Sequence, residues 1–432
     1  MNKAEVLSII VNQQKMGTVS YADNELSFSY TAEWLENPEA YPLSVSMPLV
    51  KSSHTHKTVE AYLWGLLPDN ETVLAEWAKK FHVSARNVFR LLEHVGQDCA
   101  GAIQFIPAAR EHELLDNSYA EQVQWLDQHE LAQRVVAVLK NNGVQRVATD
   151  EGQFSLAGAQ PKIALYQSPT TGEWGVPSGL TPTTHILKPA IKDLDGIAEN
   201  EHFCLQLGAK LGISVADSRV IHAGPTPVIV LKRYDRFFLE GRYYRIHQED
   251  FCQALSVMPH RKYQSQGGPS VEDIANTIWE YSSDAYEDIN TFADAIILNY
   301  LIVGTDAHAK NYSLLFAGSG QIALTPIYDI ASLMPFTDRY NPHKAKLAMK
   351  LGSEYHFKKI ELRHWLLLAK QLRLTPDDLL GKLKTMTTEI QPAAAATAVL
   401  LHSQGLTHPI IQTLSECISQ RASDIQAQYF SV

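Results

Sequence analysis

Gly304-Thr305-Asp306-Ala307-His308-Ala309-Lys310-Asn311, followed by an isolated Asp329, is the stretch that decides how this chain is read. An aspartate, an asparagine five residues on and a second aspartate form the set used in phosphoryl transfer. The first carboxylate accepts the proton of an attacking hydroxyl; the amide and the second carboxylate hold magnesium against nucleotide phosphates. The same residues would also suit a polar loop in which Asp306 caps a turn and Asn311 is left-handed. Three neighbours favour chemistry. Residues 292–303 are almost wholly apolar after Asp294 and predict a buried helix that stops at Gly304, a rigid carrier for a functional loop. Residues 321–329 predict a strand whose end projects Asp329 into a cleft. The groups needed to hold a nucleotide lie upstream, in order.

Composition sets the outer bounds. The chain has 432 residues, enough for two or three folding units. Hydrophobic residues make up 45% and charged residues 19%, an ordinary globular balance. A net charge of −10 disfavours wholesale nucleic-acid binding, though a local basic patch can still meet a phosphate backbone. Cys99, Cys204, Cys252 and Cys417 are scattered and suggest reduced thiols in a cytoplasmic protein. No His-Glu-x-x-His occurs, and His54 and His56 read as solvated loop residues. The apolar run from Val6 to Val11 is too short for a signal peptide, and no window suits a membrane span.

Along the chain, residues 4–31 alternate around Gly17 and Asp23-Asn24 as short antiparallel strands. Residues 58–95 read as helical with a break at Pro68-Asp69-Asn70, and residues 101–107 return to strand. Residues 130–141 form an amphipathic helix, and a boundary falls near residue 148. Strands dominate from 152 to about 255, with one helix over 199–210. Beyond about 270 the chain is mainly helical, and Thr375-Pro376-Asp377-Asp378 is a helix start. The units expected are 1–148, 149–255 and 256–432.

Within the second unit, Ala157-Gly158-Ala159 is a small-residue turn between strands, through which backbone N–H groups can approach phosphate. An ordinary hairpin reads the same way, and no Walker A sequence is present. Lys188 ends an apolar strand and suits pairing with ATP phosphates, although an exposed edge lysine would look alike. The following helix offers Glu201, or failing it Glu199, to orient that lysine. The strand 225–231 runs into Lys232-Arg233-Tyr234-Asp235-Arg236, either a hinge against the adenine edge or a solvated charge cluster.

Assembled, these motifs resemble the HipA family of bacterial serine/threonine kinases, the toxins of HipBA toxin–antitoxin pairs. The resemblance covers essentially the whole length. It rests on residues 154–162, 181–188, Asn200-Glu201, 233–236, Gln248-Glu249-Asp250, 304–311, 326–329 and 346–349. It implies an α+β, two-lobed protein-kinase-like fold: a β-rich lobe with an added N-terminal subdomain, and an all-helical C-terminal lobe. It also implies roles. Asp306 would accept the proton, Asn311 and Asp329 would bind Mg2+, and Lys188 would contact ATP phosphates. Ala157, Gly158, Ala159, Gln160, Pro161 and Lys162 would form the phosphate loop. Lys232, Arg233 and Tyr234 would make the hinge, with Gln248 and His308 beside the nucleotide. Ser155 matches a serine that family members autophosphorylate, an event linked to ejection of the phosphate loop and loss of activity. The implied partners are a HipB-like helix-turn-helix antitoxin dimer, operator DNA through that complex, and an aminoacyl-tRNA synthetase substrate, notably glutamyl-tRNA synthetase. Lys370 and Arg373 fall in a stretch resembling one that reaches operator DNA; a solvated helix face is the other reading. Lys232 stands where a member of that family has an acid, a departure that changes the charge expected around the adenine edge. A small-molecule kinase of the aminoglycoside-phosphotransferase type and a silent DNA-bound corepressor are the alternative functions.

Overall fold

The computed structural model describes residues 5–115, 121–140, 155, 157–158, 160–341 and 344–430. The expected boundary at 148 and Ala159 lie outside the described residues.

An antiparallel five-stranded sheet opens the chain, in the order Ser53–Thr55, Glu25–Tyr30, Gln14–Ala22, Glu5–Val11, Ile103–Pro107. Its first hairpin turns at Asn12-Gln13 and its second at Asp23-Asn24, all four residues left-handed. Gly17, expected at a turn, lies inside a strand instead. A Cβ there would sit 2.6 Å from the Phe28 ring, so the glycine makes room for a core aromatic. Three helices follow: His56–Gly65, Glu71–Phe81 and Val88–Val95. The Pro68-Asp69-Asn70 break separates the first two, and the Asn70 side chain caps the second by accepting from Thr72 N–H at 2.9 Å. His54 is not solvated: it is buried and stacks on Phe28 at 6.3 Å. His56 Nδ1 accepts from Leu26 N–H at 3.0 Å.

The second sheet has six strands, in the order Ser218–Ala223, Thr226–Lys232, His185–Pro189, Ile163–Gln167, Trp174–Pro177, Val123–Leu126. Helix Gln128–Lys140 buries Leu131, Val135 and Val138 against it. The lobe therefore includes elements placed by the sequence reading in the preceding unit. Helix Ile197–Lys210 packs beside strands Ser218–Ala223 and Thr226–Lys232.

The C-terminal lobe is mainly helical, built on Val271–Tyr281, Ala285–Ile302, Leu362–Leu372, Pro376–Ser403 and Ile410–Phe430. It is not all-helical. Strands His247–Asp250, Ser313–Phe316 and Ile322–Leu324 form an antiparallel sheet, and Lys346–Leu351 pairs with Glu354–His356. Thr375 caps its helix by accepting from Asp378 N–H at 3.1 Å, with Pro376 in the first turn. One continuous apolar core runs from the N-terminal sheet through Phe203 and Leu207 to the C-terminal helices. The four cysteine thiols are free. Among the described residues no helix is long and apolar enough to cross a membrane.

Candidate active site

A cleft of about 230 Å³ lies where the six-stranded lobe meets the C-terminal lobe. Strand His185–Pro189 delivers Lys188 to it from the middle of the sheet, in register with Ile229. Its Nζ lies 2.7 Å from Glu201 Oε1 and 2.5 Å from Asp329 Oδ1. Glu201, rather than Glu199, is the partner on helix Ile197–Lys210. Burial works against the ammonium, but the two carboxylates outweigh it and hold the proton more tightly than in an ordinary lysine.

Asp329 does not end a strand. The strand stops at Leu324, the chain crosses to pair Ile327 with Val215, and Asp329 then adopts φ 57, a left-handed state that aspartate tolerates. Burial opposes its charge, yet Lys188 and Lys162 keep the carboxyl well below the usual carboxylate range.

Helix Ala285–Ile302 carries the loop that follows it. Its left-handed cap is Val303 (φ 55), not Gly304. Gly304 is needed for space, since a Cβ there would lie 2.2 Å from Asn299 Oδ1. The Asp306 carbonyl accepts from His308 N–H and from Asn311 Nδ2, each at 2.8 Å. The Asp306 carboxylate accepts the Tyr263 hydroxyl. Partial burial, and the Asp329 charge nearby, raise the carboxyl above its ordinary value against the Tyr263 hydrogen bond, but the group is still 63% exposed, so solvent keeps that effect small. His308 is buried edge-to-face against Tyr263 at 5.1 Å, and its Nδ1 has no hydrogen-bond partner among the described residues. Burial and Lys262 push its pKa down to about 3, which leaves the ring neutral at physiological pH.

On the opposite wall, Lys162 Nζ donates to the Ala157 carbonyl at 2.7 Å. Gly158 has φ 102, and a Cβ on it would lie 2.4 Å from Lys162 Nζ. Burial and nearby Lys188 push Lys162 down to about 8. Gln160 also lines the cleft, and Pro161 leads from it into strand Ile163–Gln167. Ser155 is fully buried, and its hydroxyl donates to the Leu66 carbonyl at 2.7 Å.

Lys232 and Tyr234 line the cleft, and the Tyr234 hydroxyl donates to Gln248 Oε1 at 2.5 Å. Arg233 also borders the cleft, while its guanidinium lies in a buried cluster with Asp235 (2.7 Å), Thr183 (2.8 Å) and the Cys99 carbonyl (2.8 Å). Its N–H is taken by the Thr184 carbonyl at 2.9 Å. Lys370 and Arg373 are exposed at the end of helix Leu362–Leu372, outside the cleft lining, and Arg373 donates to Asn276 at 2.7 Å.

Sequence reading missed Asp69, Lys262 and Tyr263. Asp69 lay in what read as a helix break, and the partners of all three are remote in sequence. Lys310 sat unassigned inside the opening motif.

The donor set suits magnesium. Asn311 Oδ1 and the Asp329 carboxylate, still 37% exposed, are hard oxygen donors, and both residues line the cleft. Among the described residues no three acids, histidines or cysteines could enclose a metal unaided. Mg2+ needs no such cage, because it shares its coordination with water and substrate phosphates.

Comparison with known proteins agrees with this architecture. Residues 7–106 match the HipA N-terminal domain and residues 154–396 the HipA-like C-terminal domain. The putative kinase Y4mE of Sinorhizobium fredii (strain NBRC 101917 / NGR234) is 34% identical over 349 residues, covering 80% of each chain. The serine/threonine-protein kinase toxin HipA of Shewanella oneidensis is 27% identical over 415 residues, covering 92% of this chain and 90% of the relative. A solved complex of the S. oneidensis MR-1 toxin–antitoxin system HipA, HipB and its operator DNA contains the same fold, with a TM-score of 0.82 at 24% identity over 97% of each chain. On these matches the chain belongs to the HipA family of serine/threonine-protein kinases.

Proposed function

We propose that the protein is an ATP- and Mg2+-dependent kinase toxin that phosphorylates serine or threonine of an aminoacyl-tRNA synthetase, with glutamyl-tRNA synthetase as the first candidate. The observation that carries the reading is the convergence of Lys188, Asp306, Asn311 and Asp329 on one cleft, with Glu201 holding Lys188 from behind it. In this reading Asp306 takes the proton from the substrate hydroxyl as its oxygen attacks the γ-phosphorus and the ADP oxygen leaves. Tyr263 must release that carboxylate first. Lys188, held by Glu201, and Lys162 meet the triphosphate, while the Tyr234 backbone faces the adenine. Asn311 and Asp329 would hold Mg2+, which when bound neutralises developing phosphate charge. Neutral His308 packs beside the nucleotide without adding charge.

Self-inactivation at Ser155 is part of the proposal. Its hydroxyl is seated on Leu66, so a phosphate there would break that seat and add about −1.5 to −2 charges beside the ATP phosphates. The S. oneidensis complex supports a HipB-like antitoxin dimer and, through it, operator DNA as partners; Lys370 and Arg373 are the side chains proposed to reach the DNA. Free thiols support a cytoplasmic location.

The test is label transfer from γ-labelled ATP to purified synthetase and to the protein itself, with mass spectrometry at Ser155. Asp306→Asn should lower the rate by about a hundred- to ten-thousandfold while keeping the fold. Parent-rate transfer by that variant would remove Asp306 from its role. Label on small hydroxyl compounds with none on protein would favour the small-molecule kinase.

A further inference from the structure

The N-terminal subdomain reaches into the cleft through one acidic side chain. Asp69 follows helix His56–Gly65, and its carboxylate is largely buried. One oxygen accepts from Lys310 at 2.7 Å and the other from Lys262 at 2.8 Å. Lys310 belongs to the loop of Asp306 and directly precedes Asn311. Lys262 directly precedes Tyr263, whose hydroxyl rests on Asp306. The backbone beside this carboxylate grips the opposite wall: Pro68 bridges Gly158, and Asp69 N–H donates to the Gly158 carbonyl at 3.2 Å. Two residues earlier, the Leu66 carbonyl holds Ser155. Residues 66–69 thus touch three segments around the cleft that do not otherwise share an element.

We propose that Asp69 is a positioning residue for phosphoryl transfer. It fixes the Asp306–Asn311 loop through Lys310 and the Tyr263 loop through Lys262, while its backbone seats Gly158. The proposal rests on the kinase reading above. Two lysines on one buried carboxylate outweigh the burial that opposes its charge, and hold its pKa near 2, so the clamp is ionised throughout the physiological range. Orientation of this kind acts on rate, because small misplacements of reacting groups cost up to about a hundredfold.

Asp69→Asn is compared with the parent and with Glu76→Gln, an exposed position on the next helix. Amide hydrogen exchange should rise in peptides holding residues 306–312, residues 260–264 and Gly158, and stay at parent level in helix Pro376–Ser403. With casein as acceptor, kcat should fall about ten- to hundredfold. Affinity for the non-hydrolysable analogue AMPPNP with Mg2+ should fall less than kcat, since Lys188, Glu201 and Asp329 are untouched and of the nucleotide-holding groups only Asn311 and Gly158 loosen. A merely structural role would not split kcat from affinity. Should the single variant fail to fold, Asp69→Asn/Lys262→Met/Lys310→Met removes the stranded ammonium groups and should fold with the same raised loop exchange. Parent-like exchange in these loops, in either variant, overturns the proposal. Exchange reads the clamp without catalysis, so a parent that transfers no phosphate would sink the kinase reading and leave the clamp to be judged separately.

Discussion

Tyr263 and Asp306 meet although 43 residues separate them. That hydrogen bond favours the charged carboxylate, so Tyr263→Phe should raise the Asp306 pKa and move the acid limb of kcat/KM to higher pH. A pH–rate profile over about pH 5 to 8 checks this, because kcat/KM reports the free enzyme; an unmoved limb would mean that the Tyr263 hydroxyl does not hold the Asp306 carboxylate there. Lys162 offers a second titration. Burial and Lys188 push it down to about 8, and only its protonated form attracts phosphate. Affinity for AMPPNP should therefore fall as pH rises through about 8, and Lys162→Met should lose that dependence in calorimetric titrations. The positions of Asp306, Asn311, Asp329 and Lys188 were legible because reactive side chains stood at informative spacing in apolar surroundings. Asp69 was not legible: its lysines lie 193 and 241 residues away, and nothing local distinguishes it from a helix-breaking aspartate. The buried state of the Arg233 guanidinium was not legible either, because strand-end charge reads locally as solvated, whereas its partner Cys99 is 134 residues distant.

At the scale of elements, the phosphate loop depends on one conformation. Gly158 combines φ 102 with a site where a Cβ would strike Lys162 Nζ. Gly158→Ala should strain the loop by about 1–3 kcal/mol and displace the lysine. The six-stranded sheet beneath needs no such conformation and should stay folded. Ligand stabilisation follows RT ln(1 + [L]/Kd), so the melting-temperature gain with Mg-AMPPNP should shrink in the variant while the unliganded melt barely moves. An equal gain in both proteins would show that the loop tolerates the methyl group. The carrier helix Ala285–Ile302 was legible from its apolar run, but its stop was misread by one residue. The left-handed cap is Val303, a β-branched residue that propensity argues against, and Gly304 serves Asn299 instead. Strand content of the C-terminal lobe was read only in part: Ile322–Leu324 is the short core of the strand expected over 321–329, whereas its pairing partner Ser313–Phe316 was not read at all, being too short to show a period.

Across the whole molecule, the N-terminal subdomain is joined to the six-stranded lobe by charge as well as by the shared core. Asp98, from the N-terminal part, accepts from Arg236 at 2.8 Å, Arg245 at 3.2 Å and the Thr183 hydroxyl at 2.6 Å. Arg233 and Arg236 also pair with Asp235, at 2.7 and 3.1 Å. Three guanidinium groups thus share two buried carboxylates. Removing one carboxylate leaves buried positive charge uncompensated, which typically costs about 3–5 kcal/mol. Asp98→Asn should lower the melting temperature accordingly at neutral pH, although Asp98 touches no substrate. Its pH signature separates this from simple loss of packing. Burial opposes the Asp98 charge, but Arg236, Arg245 and Arg233 hold its carboxyl far below the ordinary carboxylate range. A carboxyl depressed in the folded state adds stability above its unfolded pKa of about 3.9, and loses it as pH falls below that value. The parent should therefore lose its advantage over Asp98→Asn in acid, and the two melting temperatures should converge as pH drops from about 5 toward 2. A gap of constant size across that range would mean that shape, and not charge, is what Asp98 contributes at the junction.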